Sequence, residues 1–505
     1  MSMHNLSPDY IPSETTEKVS MLQKMKYLFK NVTVEPIVFF YIIATLMTTL
    51  TNQNLALEKT CRVNLHFNTS ICDAITLRNN SGYERSQEAE VQAIVQKWEA
   101  YRSFIIGSVP VVLVVLFGAW SDRHKRRKPL IMLPLLGATL SNVLLLLCSI
   151  YFMELKMQYS WLADIIPNLF SGGFGLFILG IFSYVGGIGD AENKTTRIGL
   201  ITITQTVAIS IGTFLSGIVL HSMGFIGVYA AIATVTFVTS LYCLFVVKEQ
   251  DILSPEEKNK EESFKEIISM KHIKSLFETC FRNDEGKRRQ KMFFLMTLLT
   301  LTIGPTMGEM PIVYMSVRLR FGWNEVNFSF FSSFQFIVQL IGNTFTLVVL
   351  LKYLKLRDVT LGIIAMCSKI TAVLIYAFAP TGFYFHVAAV TEIFFGANLI
   401  ALRAMMAKIV EPHELGQSNS VFGICEGLTP VVFGPLYSML YIRTLMFFPG
   451  AFYLMSGCIS IIVMSLYIWL YKLIKKEEKR QPKDNEQIET EEELLEKTFP
   501  AEMKT

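Results

Sequence analysis

The chain carries the polar run Gly118-Ala119-Trp120-Ser121-Asp122-Arg123-His124-Lys125-Arg126-Arg127-Lys128 between two apolar segments. The segments on either side, 101–120 and 129–150, are long enough to cross the hydrocarbon core of a bilayer as helices. Between them, one acid is followed by five Lys or Arg within residues 122–128. Such a turn cannot lie in lipid, and positively charged loops of membrane proteins stay on the cytoplasmic side. The run therefore predicts a helical hairpin whose turn lies in the cytoplasm.

The composition of the whole chain is that of a protein with many membrane spans. Of its 505 residues, 51% are hydrophobic and 17% are charged, whereas soluble proteins carry about 25% charged residues. The net charge of +4 gives no reason to expect a nucleic-acid partner, because the cations cluster in loops. We find no Cys/His spacing typical of zinc sites, no phosphate-binding Gly-x-x-x-x-Gly-Lys motif and no pattern for covalent catalysis. We therefore expect no cofactor, no metal and no enzyme activity.

Uninterrupted apolar windows predict an all-α membrane protein with twelve transmembrane helices. The predicted spans are 36–56, 101–120, 129–150, 166–187, 198–220, 226–247, 292–317, 326–351, 359–379, 384–407, 420–441 and 446–471. They form an N-terminal six-helix half, 36–247, and a C-terminal six-helix half, 291–471. A charged linker, 248–290, joins the halves. Two such halves are typical of secondary transporters.

The distribution of cations predicts the orientation of the spans. Lys and Arg concentrate in the segments 18–30, 123–128, 248–290, 352–357 and 472–483. The loops on the other side hold few, namely Lys156, Arg318, Arg320 and Arg443. By the positive-inside rule both terminal segments, 1–35 and 472–505, are cytoplasmic. The charged tail is expected to be disordered, and the linker contains either an amphipathic helix on the membrane surface, from Phe264 to Phe281, or a solvated helix.

The first outer loop, 57–98, is long and polar. It carries two glycosylation sequons, with Asn68 and Asn79 as the acceptors. Cys61 and Cys72 lie in the same loop, on the oxidising side of the membrane. They form either a local disulfide or two free thiols.

Five ionisable residues fall inside predicted apolar spans: Glu309, Lys369, Glu392, Arg403 and Glu426. Each costs roughly 2.5 to 3.5 kcal/mol at the bilayer centre, so each must face a partner, water or a substrate. We expect Arg403 to hold an anionic group of a substrate, because a guanidinium grips carboxylate or phosphate at two points. We expect the three glutamates to line the same polar cavity and to supply a protonatable group. Lys369 is expected to pair or to snorkel, and a purely structural pair of Arg403 with a glutamate is the alternative.

Three short motifs carry a resemblance to a known family. They are Gly118-x-x-x-Asp122-Arg123 with Arg126-Arg127, the run Arg197-Ile198-Gly199-Leu200, and Leu402-Arg403-Ala404 followed by Gly416. With these the chain resembles the major facilitator transporters, in the branch of the proton-coupled folate transporter and the thymic stromal cotransporter. The resemblance implies the major facilitator fold, and it places Arg403 where the folate transporter has an arginine implicated in substrate and proton handling. Thr202 and Gly304 stand where that transporter has a glutamate and a histidine.

The resemblance also implies alternating access, with two latches on the cytoplasmic side. The first latch would be formed by Gly118, Asp122, Arg123, Arg126 and Arg127, and the second by Asp190 and Arg197. Asp122 would bind helix amides or a cation of the other half, and the arginines would bind carboxylates or anionic lipid headgroups of the bilayer. The alternative is that the basic cluster serves topology alone.

The sequence thus predicts a secondary active transporter that moves a small organic anion together with protons. Folate-like molecules, cyclic dinucleotides and peptidoglycan fragments are the substrate classes. We expect the plasma membrane, or alternatively the lysosomal membrane, as its location, and a monomer suffices for transport. A transport-inactive receptor or scaffold that keeps the fold is the alternative.

Overall fold

The computed structural model describes residues 33–79, 81–124, 126–186, 191–249, 288–410 and 415–498. Its helices are α1 Glu35–Lys59, α2 Thr69–Leu77, α3 Arg85–His124, α4 Lys128–Ile150, α5 Met157–Ser171, α6 Gly173–Gly186, α7 Ala191–Val246, α8 Arg288–Phe321, α9 Glu325–Phe345, α10 Asp358–Phe378, α11 Gly382–Thr391, α12 Ala397–Ile409, α13 Leu415–Thr444 and α14 Ala451–Thr498. The turns Thr60–Asn64 and Thr346–Tyr353 extend α1 and α9 as π-helix. The predicted linker helix and Asp190 lie outside the described residues.

The described helices make twelve membrane crossings, as predicted. Ten segments are long and apolar enough to cross a bilayer. One of these, in α7, contains two crossings because Gly224 interrupts the helix with φ 63°, a left-handed conformation that glycine adopts without steric cost. The short helices α11 and α12 together supply the remaining crossing.

Two predicted spans are broken rather than continuous. The fourth span divides into α5 and α6 at Gly172 and Gly173, whose φ values are 74° and 53°. The tenth divides into α11 and α12 at a turn over residues 392–396. Apolar windows predict neither break, because two glycines, or a turn with one charged residue among apolar ones, change the mean hydropathy of a long window very little.

The first outer loop has more helix than expected. It contains α2 and the first turns of α3, which begins at Arg85. Three polar side chains on this extension, Glu88, Gln92 and Gln96, are spaced four apart and fully or almost fully buried. Residues four apart share one face of a helix, so the extension packs through a polar stripe, which an apolar-window search cannot detect.

The tail also differs from the expected disorder. Helix α14 continues beyond the membrane-spanning segment to Thr498. Glu, Lys, Gln and Leu dominate residues 472–498, and all four are strong helix formers. High charge was therefore a poor argument against helix in this segment.

The halves, α1–α7 and α8–α14, contact each other mainly through α3 against α13 and α7 against α9. Small residues allow the close approach of α7 and α9. The amide of Gly217 donates to Ser329 Oγ at 2.8 Å, and Thr213 and Ser333 share a hydrogen bond of 3.1 Å. Hydroxyl groups therefore make part of the interface between the halves.

A charged cluster joins the halves at the end of the molecule where α2 lies, here called the α2 end. Glu88 of α3 accepts from Arg78 at 2.8 Å, and its carboxylate lies 3.5 Å from Nε of Arg318 on α8. Arg318 also donates to the carbonyl of Ile75 at 3.0 Å. Burial and the nearby Arg318 lower the pKa of the Arg78 guanidinium. Arg78, Glu88 and Arg318 are named the Glu88 cluster.

Neutral hydrogen bonds extend the contact of α3 with α13 and α8. Gln92 accepts from the Tyr441 hydroxyl at 2.7 Å, and Gln96 donates to the carbonyl of Pro311 at 3.1 Å. Gln92, Gln96 and Tyr441 have no measurable exposure. The two halves are therefore sealed together at the α2 end.

The cysteines of the first outer loop are joined. A Cys61–Cys72 disulfide ties α2 to the end of α1, and this places Arg78, the residue after α2, over Glu88. Asn68 and Asn79 are exposed on the same surface. Their glycosylation stays a prediction.

The Glu88 cluster gives a stability prediction. Glu88→Ala leaves two largely buried guanidinium groups without their carboxylate, which typically costs about 3–5 kcal/mol. We expect the melting temperature of the purified protein to fall by several degrees. Glu90→Ala, on the exposed face of the same helix, is the matched control and should change the melting temperature little. Equal melting temperatures for the two variants would contradict the assignment.

Candidate functional site

A cavity of about 1300 Å³ lies between the two halves. Its wall reaches Gly118, near the C-terminal end of α3, and Asn419 and Gly423, near the start of α13. Asn419 and Gly423 are exposed, whereas Gln92 and Gln96 at the opposite end are fully buried. The cavity is therefore closed at the α2 end and open at the end that carries the 118–128 turn, here called the motif end.

The wall of the cavity is largely apolar, with few charges. Drug-sized ligands occupy pockets of about 300–1,000 Å³, so this volume accepts an organic molecule of that size. Of the described residues that line it, four are charged: Arg102, Asp164, Arg403 and Glu426. Since charges are costly in this environment, these four are the first candidates for substrate contact.

Arg403 and Glu426 form a balanced pair on the wall of the C-terminal half. Nη2 of Arg403, on α12, donates to Oε1 of Glu426, on α13, at 3.2 Å. The Arg403 side chain is 55% exposed and that of Glu426 is 26% exposed. The guanidinium therefore keeps nitrogen atoms that a ligand in the cavity can reach. Both residues were predicted from the sequence, and they lie together.

A second charged group lies in the N-terminal half. Arg102 on α3 donates from Nε to Asp164 of α5 at 2.9 Å and from Nη1 to Glu99 at 3.2 Å. Its guanidinium lies over the Trp161 ring, 5.6 Å from the centroid. Glu99, Arg102 and Asp164 are named the Arg102 triad.

Sequence reasoning missed the Arg102 triad. Arg102 lies at the edge of the predicted second span and Asp164 just before the predicted fourth span, so both resembled charges at the membrane surface. One signal was present. Glu99 and Arg102 continue the three-to-four-residue spacing of the buried polar stripe on α3, which marks one helix face.

Glu309 and Glu392 lie elsewhere, and this corrects the expectation of one shared cavity. Nζ of Lys369, on α10, lies 2.8 Å from Oε1 of Glu392 and 3.1 Å from Oε2 of Glu309. Lys369 is 3% exposed, and neither glutamate is among the residues that line the cavity. Glu392 starts the turn between α11 and α12, and there its carboxylate meets α10 rather than Arg403. Glu309, Lys369 and Glu392 are named the Lys369 triad.

The described part of the motif turn contacts its own half. Gly118 lines the cavity, and a Cβ at this position would lie 3.2 Å from Leu179 of α6. Arg127 donates from its side chain to the carbonyl of Ser183, and its amide donates to Glu249 at 2.6 Å. Arg126 is exposed.

Arg197, predicted to form the second latch, also contacts the N-terminal half. It donates to Thr33 at 3.0 Å and lies 3.7 Å from the Glu35 carboxylate. The side chains of Asp122 and Arg123, and the whole of Asp190, are outside the described structure. Latching of this end to the other half stays a prediction.

Comparisons with known proteins agree with this architecture. The Major Facilitator Superfamily model matches residues 100–391. The chain is 26% identical over 455 residues to the chicken "Lysosomal proton-coupled steroid conjugate and bile acid symporter SLC46A3", covering 87% of this chain and 94% of that protein. It is 22% identical over 438 residues to the Drosophila melanogaster "Probable peptidoglycan muropeptide transporter SLC46", covering 84% and 82%.

Among solved structures, the human organic anion transporter MFSD10 (TETRAN) matches with a TM-score of 0.56 at 13% identity. The match covers 86% of this chain and 98% of that structure, and it shows the fold alone. The family model spans more than half of the chain, and the relatives agree with the solute-carrier branch to which the motifs pointed. The chain belongs to the Major Facilitator Superfamily, and it is a multi-pass membrane transporter rather than an enzyme.

Proposed function

We propose that this transporter carries a small organic anion by secondary active transport, through alternating access of the cavity. One observation carries the proposal: the cavity between the halves is open at the motif end, closed at the α2 end, and holds the half-exposed Arg403. A site between two rigid halves can be exposed to either side in turn when the halves rock.

The size and chemistry of the cavity support a particular kind of substrate. Apolar walls bind a hydrophobic body, while the reachable nitrogen atoms of Arg403 bind a carboxylate, sulfate or phosphate at two points. The folate-like, cyclic-dinucleotide and peptidoglycan-fragment classes all meet these requirements. The names of the two relatives add steroid conjugates and bile acids, and they support the peptidoglycan-fragment class.

Glu426 links proton binding to anion binding at this site. In its ionised form it accepts a hydrogen bond from Nη2 of Arg403 and balances the charge of the guanidinium. When it takes up a proton the guanidinium loses its counter-charge, and a substrate anion then replaces the carboxylate. Binding of the proton and the anion together leaves the charge of the pair unchanged, which a low-dielectric site favours.

The Lys369 triad offers a second place for a coupling proton. It sets two carboxylates against one ammonium group in a buried position, so one carboxylate lacks a counter-charge. The alternative role of this triad is structural, because it ties α8, α10 and the turn after α11 together.

The orientation follows from the positive-inside rule. The motif end and both termini lie in the cytoplasm, so the described conformation is inward-facing. The Glu88 cluster then closes the outer end, while Gly118, Asp122, Arg123, Arg126, Arg127, Asp190 and Arg197 latch the inner end in the opposite conformation. The plasma membrane and the lysosomal membrane are both compatible with this topology.

The role of Arg403 is tested by uptake into expressing cells. Radiolabelled taurocholate, folate, a cyclic dinucleotide and a muropeptide are offered at neutral and acid pH. We expect Arg403→Ala to lower uptake of the accepted anion by about 10- to 100-fold, since a hydrogen bond to a charged group contributes about 1.5–3 kcal/mol. Arg443→Ala, at an exposed site outside the cavity, is the control for surface expression. Undiminished uptake by Arg403→Ala would remove this residue from the site, and uptake of no anion by the wild type would favour the receptor or scaffold function.

The role of Glu426 is tested by the pH dependence of the same uptake. Wild-type uptake should rise as the pH falls, because the protonated form of Glu426 releases Arg403. Glu426→Gln fixes a neutral side chain of the same shape, so its uptake should vary less with pH. Glu154→Gln, an exposed carboxylate outside the cavity, should behave like the wild type. A wild-type pH profile in Glu426→Gln would place the coupling proton elsewhere.

A further inference from the structure

The Arg102 triad has one carboxylate more than it has cations. Glu99 and Asp164 both bind the guanidinium of Arg102, through different nitrogen atoms. Glu99 is 6% exposed and Asp164 is 4% exposed. With both acids ionised, this enclosed group carries a net charge of −1.

In the part of the chain that the structure describes, no second cation pairs with the triad. Around Asp164 lie two neutral donors. The Ser141 hydroxyl of α4 donates to Oδ1 at 3.4 Å, and the Asn168 side-chain amide donates to the Asp164 backbone carbonyl at 2.8 Å and to Oδ1 at 3.4 Å. From α7, Tyr229 lies within reach of the Asp164 charge, but its neutral hydroxyl donates to Asn52 Oδ1 at 2.5 Å and adds no positive charge. Among the described residues, Arg102 is the one cation recorded beside either acid. Two close carboxylates that share one guanidinium in a poorly solvated place favour retention of a proton by one of them.

The position of the triad gives this proton a route to water. Arg102 and Asp164 line the cavity, which opens at the motif end. Glu99 lies one helical turn after Gln96, which seals the halves together toward the α2 end. The triad therefore lies between the open cavity and the closed α2 end. Rocking of the halves would change the side of the membrane to which it is exposed.

The Arg403–Glu426 pair in the C-terminal half differs from the Arg102 triad in its net charge. Arg403 and Glu426 cancel each other's charge, so Glu426 needs no proton until an anion arrives. The Arg102 triad needs its proton beforehand, because its excess negative charge faces the cavity in which the anion must bind.

We propose that Glu99, Arg102 and Asp164 form a proton-binding site in the N-terminal half, in which the two carboxylates share one proton. Its loading lowers the negative potential of the cavity and so favours entry of an organic anion. Binding of the proton stands on the geometry of the triad, whereas its use in transport rests on the proposed function.

Infrared spectroscopy of the full-length protein in lipid nanodiscs tests the site without any substrate. The measured quantity is the intensity of the C=O band of protonated carboxylic acids at neutral pH, identified by its shift in D2O. We expect this band in the wild type, and we expect it to lose about one carboxyl group per protein in Glu99→Gln and in Asp164→Asn, since either change balances the charge. Glu154→Gln should leave the band unchanged.

A variant that is expected to increase the carboxylic-acid band distinguishes a specific loss of the band from a loss caused by misfolding. Arg102→Gln removes the cation from the triad, so both carboxylates should become protonated and the contribution of the triad to the band should about double. An unchanged band in Glu99→Gln, Asp164→Asn and Arg102→Gln would overturn the proposal. If only Glu309→Gln or Glu392→Gln removed the band, the proton would lie in the Lys369 triad, which also overturns it and leaves proton-coupled transport standing.

Uptake measurements distinguish a failure of the proton-binding site from a failure of the proposed transport function. If the infrared result holds and cells take up none of the four labelled anions at any pH, the proposed function fails and the proton site remains. If uptake of the accepted anion is acid-stimulated in the wild type and keeps the same pH profile in Glu99→Gln, the site has no role in coupling.

Discussion

A charge buried among membrane-spanning helices must have a partner of opposite charge, and this constraint organises the structure. The Arg102 triad connects α3 with α5, and the Lys369 triad connects α8 with α10 and the turn after α11. Each triad lies within one half, so rocking of the halves does not break it. Removing the cation of either triad would leave two buried carboxylates without a counter-charge, which costs several kcal/mol. Each triad therefore helps its half to move as a rigid body.

The contact between the halves is of a different kind. At the α2 end it is made by the Glu88 cluster and by hydrogen bonds of Gln92 and Gln96. Polar groups of this sort can exchange their partners for water when the interface opens, because water satisfies the same donors and acceptors. An interface of buried leucines would lose its hydrophobic stabilisation instead. The contacts within each half are therefore ionic, whereas the contact between the halves includes neutral hydrogen bonds. The helix break at Gly172 and Gly173 lies in the wall of the cavity.

Much of this architecture is predictable from the sequence, and the features that are not predictable have identifiable physical reasons. Hydropathy predicts the crossings because lipid requires about twenty apolar residues in each. It misses the start of α3 because Glu88, Gln92 and Gln96 face the other half rather than lipid or water. The list of buried charges identified Arg403 and Glu426 as candidates. It could not show that Lys369 takes both Glu309 and Glu392, because the choice of partner depends on how α8, α10 and α11 pack. The Arg102 triad was missed because its members lie at the edges of predicted spans, where charges are common.

The central claim is that the cavity opens at one end when it closes at the other. The most direct test is to measure distances between pairs of spin labels by double electron–electron resonance. One pair is placed at Ser86 and Arg443 near the α2 end, and another at Val246 and Lys355 near the motif end. All four positions are exposed, and each pair joins the two halves. In a Glu88→Gln background, which weakens the seal, the account predicts a second population in which the first distance is longer and the second is shorter. A single population at both ends, or two distances that lengthen together, would contradict alternating access.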